Sequence, residues 1–206
     1  MHLENNITRN WFPTSIYSTH LGQESRNANL SKKAIELKNL FQQSNSDWRC
    51  ATFNTLNLYN WVEDQDPSVL SLIEECKTHT HEFAKSHGIT KDISSLHCTD
   101  FWFNVAEPMQ YQEYHQHTDS HFSVSYYINT PVNCGNLVFK SFESMFDMKA
   151  LPIHNKDLTD MSYKTCSYTP RETMLIIFRS NLLHMVEQNL SDNLRIGVSM
   201  NFSYTR

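Results

Sequence analysis

Cysteine pairs are missing from this chain. Its five cysteines, Cys50, Cys76, Cys98, Cys134 and Cys166, are odd in number and far apart, and none belongs to a C-x-x-C pair. That spacing argues against a disulfide framework and against a cysteine zinc site; it fits reduced thiols in a cytoplasmic protein. Positive charge is also scarce: 17 Lys and Arg stand against 22 Asp and Glu, a formal net charge of −5. Without a basic footprint, binding to long nucleic acid is disfavoured. No apolar stretch approaches the roughly 18 residues that cross a bilayer. The opening "MHLENNITRNWFP" lacks the apolar centre of a signal peptide. Repeats, low-complexity tracts and linkers are absent too. We therefore expect one domain over residues 1–206, with no membrane partner.

What is present divides near residue 96. Before it come an extended segment, "NWFPTSIYSTHL", and two helices. Leu30, Ala34, Leu37 and Phe41 recur at helical spacing, with Asn29 or Ser31 as the expected N-cap. The second helix has Asp66 as N-cap, Pro67 at its first position and Gly88 just past its end. Val69, Ile73, Cys76, Thr80 and Phe83 form its buried stripe, and His79 and His81 read as surface residues. From residue 97 to 206 the texture is β-rich: "FWFNVA", "HFSVSYYIN", "NLVFK", "TMLIIF" and "NLRIGVSMNFSY" read as strands. The segment 141–162 has little pattern and reads as a long loop of the kind that forms functional lids. Five or more strands packed by two helices predict a mainly β sandwich or barrel with flanking helices. The aromatic residues of the N-terminal third suggest a homodimer.

One stretch concentrates metal-binding side chains. In "YHQHTDSHFS", His115, His117, Asp119 and His121 fall on alternate positions. On an extended strand they would share one face. Non-haem Fe(II) oxygenases hold iron with two histidines and one carboxylate, leaving positions open for O2 and a co-substrate. His117 and Asp119 have the spacing of the local pair. His184, just past the apolar strand "TMLIIF", is the candidate for the distant histidine. Phe101, Trp102 and Phe103 read as core. Asn104 and Asn136 fall beside the expected site, and Glu107 and Glu113 read as solvated.

With these residues in view, the sequence resembles the Fe(II)/2-oxoglutarate-dependent oxygenases of the double-stranded β-helix (jelly-roll, cupin-like) fold. It is most similar to a group of roughly 200-residue members common in bacteria and marine phages. The resemblance rests on "NWFPTSIYSTHL", "FWFNVAEP", "HQHTDSHFSVSYYINTP", "GNLVF" and "MLIIFRSNLLHMVEQNLSDNLRIGVSMNF". It implies a dioxygenase that uses Fe(II), 2-oxoglutarate and O2, and that hydroxylates an unidentified substrate with release of succinate and CO2. It assigns His117, Asp119 and His184 to the metal, Arg195 to the far carboxylate of 2-oxoglutarate, and Tyr127 to the same carboxylate. Members of the group also show His-x-His in the metal region, so His115–His117 stands as the alternative local pair. In the first reading His115 and His121 either support the ligands or contact substrate, or form a polar rim beside a strand. Three positions depart from the group pattern: Thr173 replaces glycine, Arg179 replaces proline, and Gly197 replaces a serine. The competing classes are a non-catalytic jelly-roll that binds or builds, in which Arg195 would be exposed or in a surface ion pair, and a cupin-like metalloenzyme with another cofactor set, which brings more histidines to the metal and no arginine at this place.

Overall fold

The structure is a computed structural model that describes residues 13–41, 52–142, 152–154 and 157–205. Cys50, the first three residues of "NWFPTSIYSTHL", and residues 143–151 and 155–156 of the segment 141–162 expected to form a loop therefore lie outside the described residues. Among the described residues, ten strands and three α-helices run in the order β1 (Ile16–His20), α1 (Glu24–Phe41), β2 (Phe53–Asn54), α2 (Trp61–Asp64), α3 (Pro67–Ser86), β3 (Leu96–Ala106), β4 (Gln112–His115), β5 (Phe122–Asn129), β6 (Leu137–Lys140), β7 (Thr165–Tyr168), β8 (Met174–Arg179), β9 (His184–Val186) and β10 (Arg195–Tyr204).

All pairings are antiparallel. A six-stranded sheet has the order β1-β8-β5-β10-β3-β2, and a four-stranded sheet has the order β4-β9-β6-β7. From β3 onward the chain shuttles between the two sheets, which is the winding of a double-stranded β-helix. Tyr127, Ile176 and Phe178 of the larger sheet pack with Leu137 and Phe139 of the smaller one, so the sheets face each other. The helices cover the outer face of the larger sheet.

Period-two alternation on three adjacent strands builds this arrangement. On β10, Ile196, Val198, Met200, Phe202 and Tyr204 join the helix-side core, as do Phe101, Phe103 and Val105 of β3 and Phe122, Val124, Tyr126 and Ile128 of β5. The intervening residues, among them Asp100, Trp102, Asn104, Ser123, Ser125, Tyr127, Arg195, Gly197, Ser199 and Asn201, take the inner face. The apolar half thus holds the helices and the polar half is left for chemistry.

The helix α3 begins and ends as expected. Asp66 accepts from Ser68 N at 2.9 Å and Val69 N at 3.3 Å. Gly88 takes φ +81°, Gly88 N–H bonds Lys85 O, and Ile89 N–H bonds Ala84 O. That is a Schellman ending with glycine in the left-handed position. The helix α1 starts at Glu24, not near Asn29 or Ser31. Its first turns bury polar residues that an apolar pattern misses. The Arg26 guanidinium donates to Glu75 at 2.6 Å, and Asn27 accepts from Tyr126 Oη at 2.6 Å while donating to Ile128 O. His81 is another correction. It is buried, with Nδ1 2.8 Å from Tyr204 Oη, because α3 packs a wider face than the five-residue stripe. His79 is half-buried and sits 2.9 Å from Tyr17 Oη.

Thr173 has φ +65° in the turn that leads into β8. A β-branched residue is strained there, at a cost of about 1–2 kcal/mol. Thr173→Gly is therefore expected to stabilise the protein by about 0.5–1 kcal/mol after the entropic cost of glycine. A higher denaturant midpoint at unchanged slope would show it; a lower midpoint would refute the strain.

Candidate active site

The smaller sheet brings two histidines face to face. His115 at the end of β4 is the cross-strand partner of His184, which opens β9. Their ring centroids lie 4.2 Å apart. His117 follows in the loop, anchored by its backbone N–H to Ser180 O at 2.8 Å, and its ring stands 5.2 Å from that of His184. The three residues offer one ligand atom each, and these atoms all lie within 4.8 Å of one another. Trp102, Phe139 and Phe178 wall them in: Trp102 is 5.5 Å from His117, and Phe178 is 4.7 Å from His184. Trp102 is thus core and site wall at once.

Asp119 does not join this group. The alternation that would carry 115, 117, 119 and 121 on one face needs an unbroken strand, but β4 stops at His115. The chain then bends at Thr118 and Asp119, and Asp119 is exposed. His121 is taken up by the larger sheet, where its Nδ1 accepts from Tyr204 N at 3.2 Å. Of the three residues expected at the metal, the structure brings together His117 and His184, and it adds His115.

The donor set suits a divalent transition metal. Each ring has its Nδ1 against an oxygen acceptor: Glu113 O at 2.7 Å for His115, Asn201 Oδ1 at 2.7 Å for His117, and Leu182 O at 2.8 Å for His184. Such bonds place the proton on Nδ1 and the lone pair on Nε2. His117 Nε2 is buried and has no hydrogen-bond partner. Burial is the main cause that lowers all three imidazole pKa values, His115 to about 4 and His184 well below the ordinary value. The rings are therefore neutral near pH 7, the state that binds metal.

A second cavity adjoins the first. It is lined by Asn104, Tyr127, Gly197 and Arg195, and it shares Gln112, Ser125, Val186 and Ser199 with the histidine cavity. Arg195 is 6 % exposed, which removes the expectation of an exposed arginine attached to the non-catalytic reading. Its guanidinium donates to the backbone carbonyls of Cys134 and Glu187. Among the described residues no carboxylate pairs with it. Burial lowers its pKa and raises that of Tyr127, so the phenol remains a donor beside it. A buried guanidinium facing an inner cavity has the charge and planar fork to pair with an incoming carboxylate. Asn104 lies in this wall, accepting from Gln112 Nε2 at 2.9 Å and donating to Ser199 Oγ at 3.0 Å. Asn136 meets Glu187 through its backbone N–H, Glu113 is exposed, and Glu107 pairs with Lys38 at 2.6 Å. Sequence reasoning missed Gln112, Ser123 and Asn201; the inward alternation of β5 and β10 was the signal for the last two.

Gly135 secures the arginine's anchor. It has φ +86°, and a Cβ there would meet Glu187 O at 2.4 Å and Gln188 O at 2.7 Å. Both obstacles are backbone, so Gly135→Ala is expected to destabilise by about 2–4 kcal/mol, from left-handed strain plus overpacking. By pushing away the carbonyl that holds Arg195, it should also weaken binding of a dicarboxylate. Chemical denaturation and calorimetric titration check the two effects; an unchanged midpoint would overturn the close-approach reading.

Comparison with known proteins now defines the class. The fold is that of the 2-oxoglutarate-dependent oxygenases. A Pseudomonas putida prolyl-4-hydroxylase matches with a TM-score of 0.62 at 12% identity, over 94% of this chain and 94% of that one. A viral collagen prolyl hydroxylase from Paramecium Bursaria Chlorella virus-1, solved with 2-oxoglutarate, matches with a TM-score of 0.54 at 15% identity, over 92% and 96%. EvdO2 from Micromonospora carbonacea var. aurantiaca, complexed with 2-oxoglutarate, matches with a TM-score of 0.62 at 14% identity, over 93% and 87%. No curated protein matches the chain. More narrowly, residues 100–201 match the family described as "Putative 2OG-Fe(II) oxygenase". The protein is a 2-oxoglutarate-dependent Fe(II) dioxygenase.

Proposed function

We propose that the enzyme hydroxylates its substrate with Fe(II) held by His115, His117 and His184 and with the far carboxylate of 2-oxoglutarate held by Arg195 and Tyr127. The observation that carries the ligand set is the convergence of three imidazoles, one of which has a buried nitrogen with no hydrogen-bond partner. Fe(II) with 2-oxoglutarate supplies oxidative decarboxylation to succinate and CO2, which couples O2 to attack on a C–H bond. The protein's own part is to hold and orient. The Nδ1 bonds fix each ring. Arg195 draws one end of the co-substrate to the far side of the cavity, and the aromatic wall keeps water from the histidines. We take residues 1–206 as one oxygenase domain, with the helices supporting the sheet that bears Arg195 and Tyr127.

The four described cysteines are unpaired, which supports a reducing, cytoplasmic setting. Among the described residues no helix is long and apolar enough to cross a membrane. Anaerobic addition of Fe(II) and 2-oxoglutarate should give a weak charge-transfer absorption in the visible, and His184→Ala should abolish it. Persistence of the band in that variant would reject the ligand set.

A further inference from the structure

His117 is gripped on its Nδ1 side by a line of polar side chains that sheet register sets side by side. Asn201 of β10 is the cross-strand partner of Asp100 on β3 and of Ser123 on β5. Asn201 Nδ2 donates to Asp100 Oδ2 at 3.0 Å, and Asn201 Oδ1 lies 2.7 Å from His117 Nδ1. Ser123 Oγ closes the cluster at 2.9 Å from both Asn201 Oδ1 and His117 Nδ1. The polarity of this chain has one solution. A carboxylate only accepts, so the amide nitrogen of Asn201 must face Asp100 and its oxygen must face His117. An amide oxygen also only accepts, so Nδ1 must carry the ring proton. The lone pair is left on Nε2, the buried atom that has no other partner.

The converging group contains no carboxylate. Asp100, reached through one amide, is the anionic group tied to it. We propose that Asp100 and Asn201 are positioning residues that lock His117 in its Nδ1–H form and supply, one layer out, the negative charge that the three histidines lack. This rests on the reading that His117 is a metal ligand. An outer hydrogen bond of this kind raises the basicity of the ligating nitrogen, and its loss typically weakens metal binding about 10- to 100-fold.

Two readouts other than turnover test it: Co(II) affinity of the metal-free protein by absorption titration, and the 15N spectrum of the histidine rings without metal. Asn201→Leu should weaken Co(II) binding about 10- to 100-fold and turn the His117 ring signals into a mixture of tautomers. Asp100→Asn keeps an acceptor but removes the charge, and should weaken binding about 3- to 10-fold with the Nδ1–H form retained. The exchange pair Asp100→Asn with Asn201→Asp restores charge and hydrogen bonding together and should recover the affinity. A folded Asn201→Leu variant with unchanged Co(II) affinity would overturn the proposal. If that variant does not fold, the other two decide: no loss in Asp100→Asn, or no recovery in the exchange pair, overturns it equally. His117→Ala separates the two levels. If it binds Co(II) normally, the ligand set is wrong; if it loses binding while Asn201→Leu does not, only the positioning role is wrong.

Discussion

His115→Ala is expected to weaken Fe(II) binding by more than about 100-fold, beyond what an outer hydrogen-bond partner contributes, whereas Asp119→Ala leaves it within about threefold. The asymmetry follows from the pairing of β4 with β9. His115 and His184 are opposed residues on neighbouring strands, so their separation is set by the sheet itself. Asp119 sits in an exposed bend after the chain has left β4, and a carboxyl there is solvated rather than aimed inward. The measurement is an anaerobic titration with Fe(II), followed by the charge-transfer band on adding 2-oxoglutarate. The reverse ranking, with Asp119→Ala destroying the site and His115→Ala preserving it, would mean that the loop from His117 to His121 turns inward around the metal.

The contrast shows how much the sequence could say. The β-rich composition of "NLRIGVSMNFSY" and "HFSVSYYIN" marked both strands; the alternation within them, which separates helix-facing residues from those that line the site, was present but not used. Cap residues defined α3 at both ends, because Asp66 and Gly88 act through bonds local to the chain. Long-range terms were less legible. Periodicity alone would extend β4 through Asp119, yet the strand ends where His117 N–H turns to bond Ser180 O. The first turns of α1 carry Arg26 and Asn27, whose burial depends on partners on α3 and β5 that local sequence cannot reveal. His184 was a candidate because it follows the apolar strand "TMLIIF" by a short turn, near a strand end. Asn201 was not, since its partners Asp100 and His117 come from two other strands. The departure at Thr173 did carry information: the position has a glycine conformation without the glycine. Gly197 is tighter than it looks, because a Cβ there would stand 3.0 Å from Tyr126 O, so a serine would need the sheet to yield slightly.

Arg195→Met should leave Fe(II) binding intact and raise the dissociation constant of 2-oxoglutarate about 100- to 1000-fold, the effect of removing about 3–4 kcal/mol from a buried charge-paired contact. The side chain begins β10 at the far end of the shared cavity, away from the three imidazoles, so the metal site should not feel the change. Its two backbone partners, Cys134 O and Glu187 O, would lose a donor, and a modest fall in stability is expected as well. Affinity and folding separate through ligand choice. A 2-oxo acid without the far carboxylate should bind the native enzyme about as weakly as 2-oxoglutarate binds the variant, and Arg195→Met should affect that shorter ligand by no more than about threefold. Arg195→Lys keeps the charge but not the planar fork, and should fall between the two. Equal losses for the long and short ligands in Arg195→Met would mean that the arginine only shapes the cavity. The carboxylate receptor would then have to be sought among the other donors that line it, Tyr127, Asn104 and Ser199.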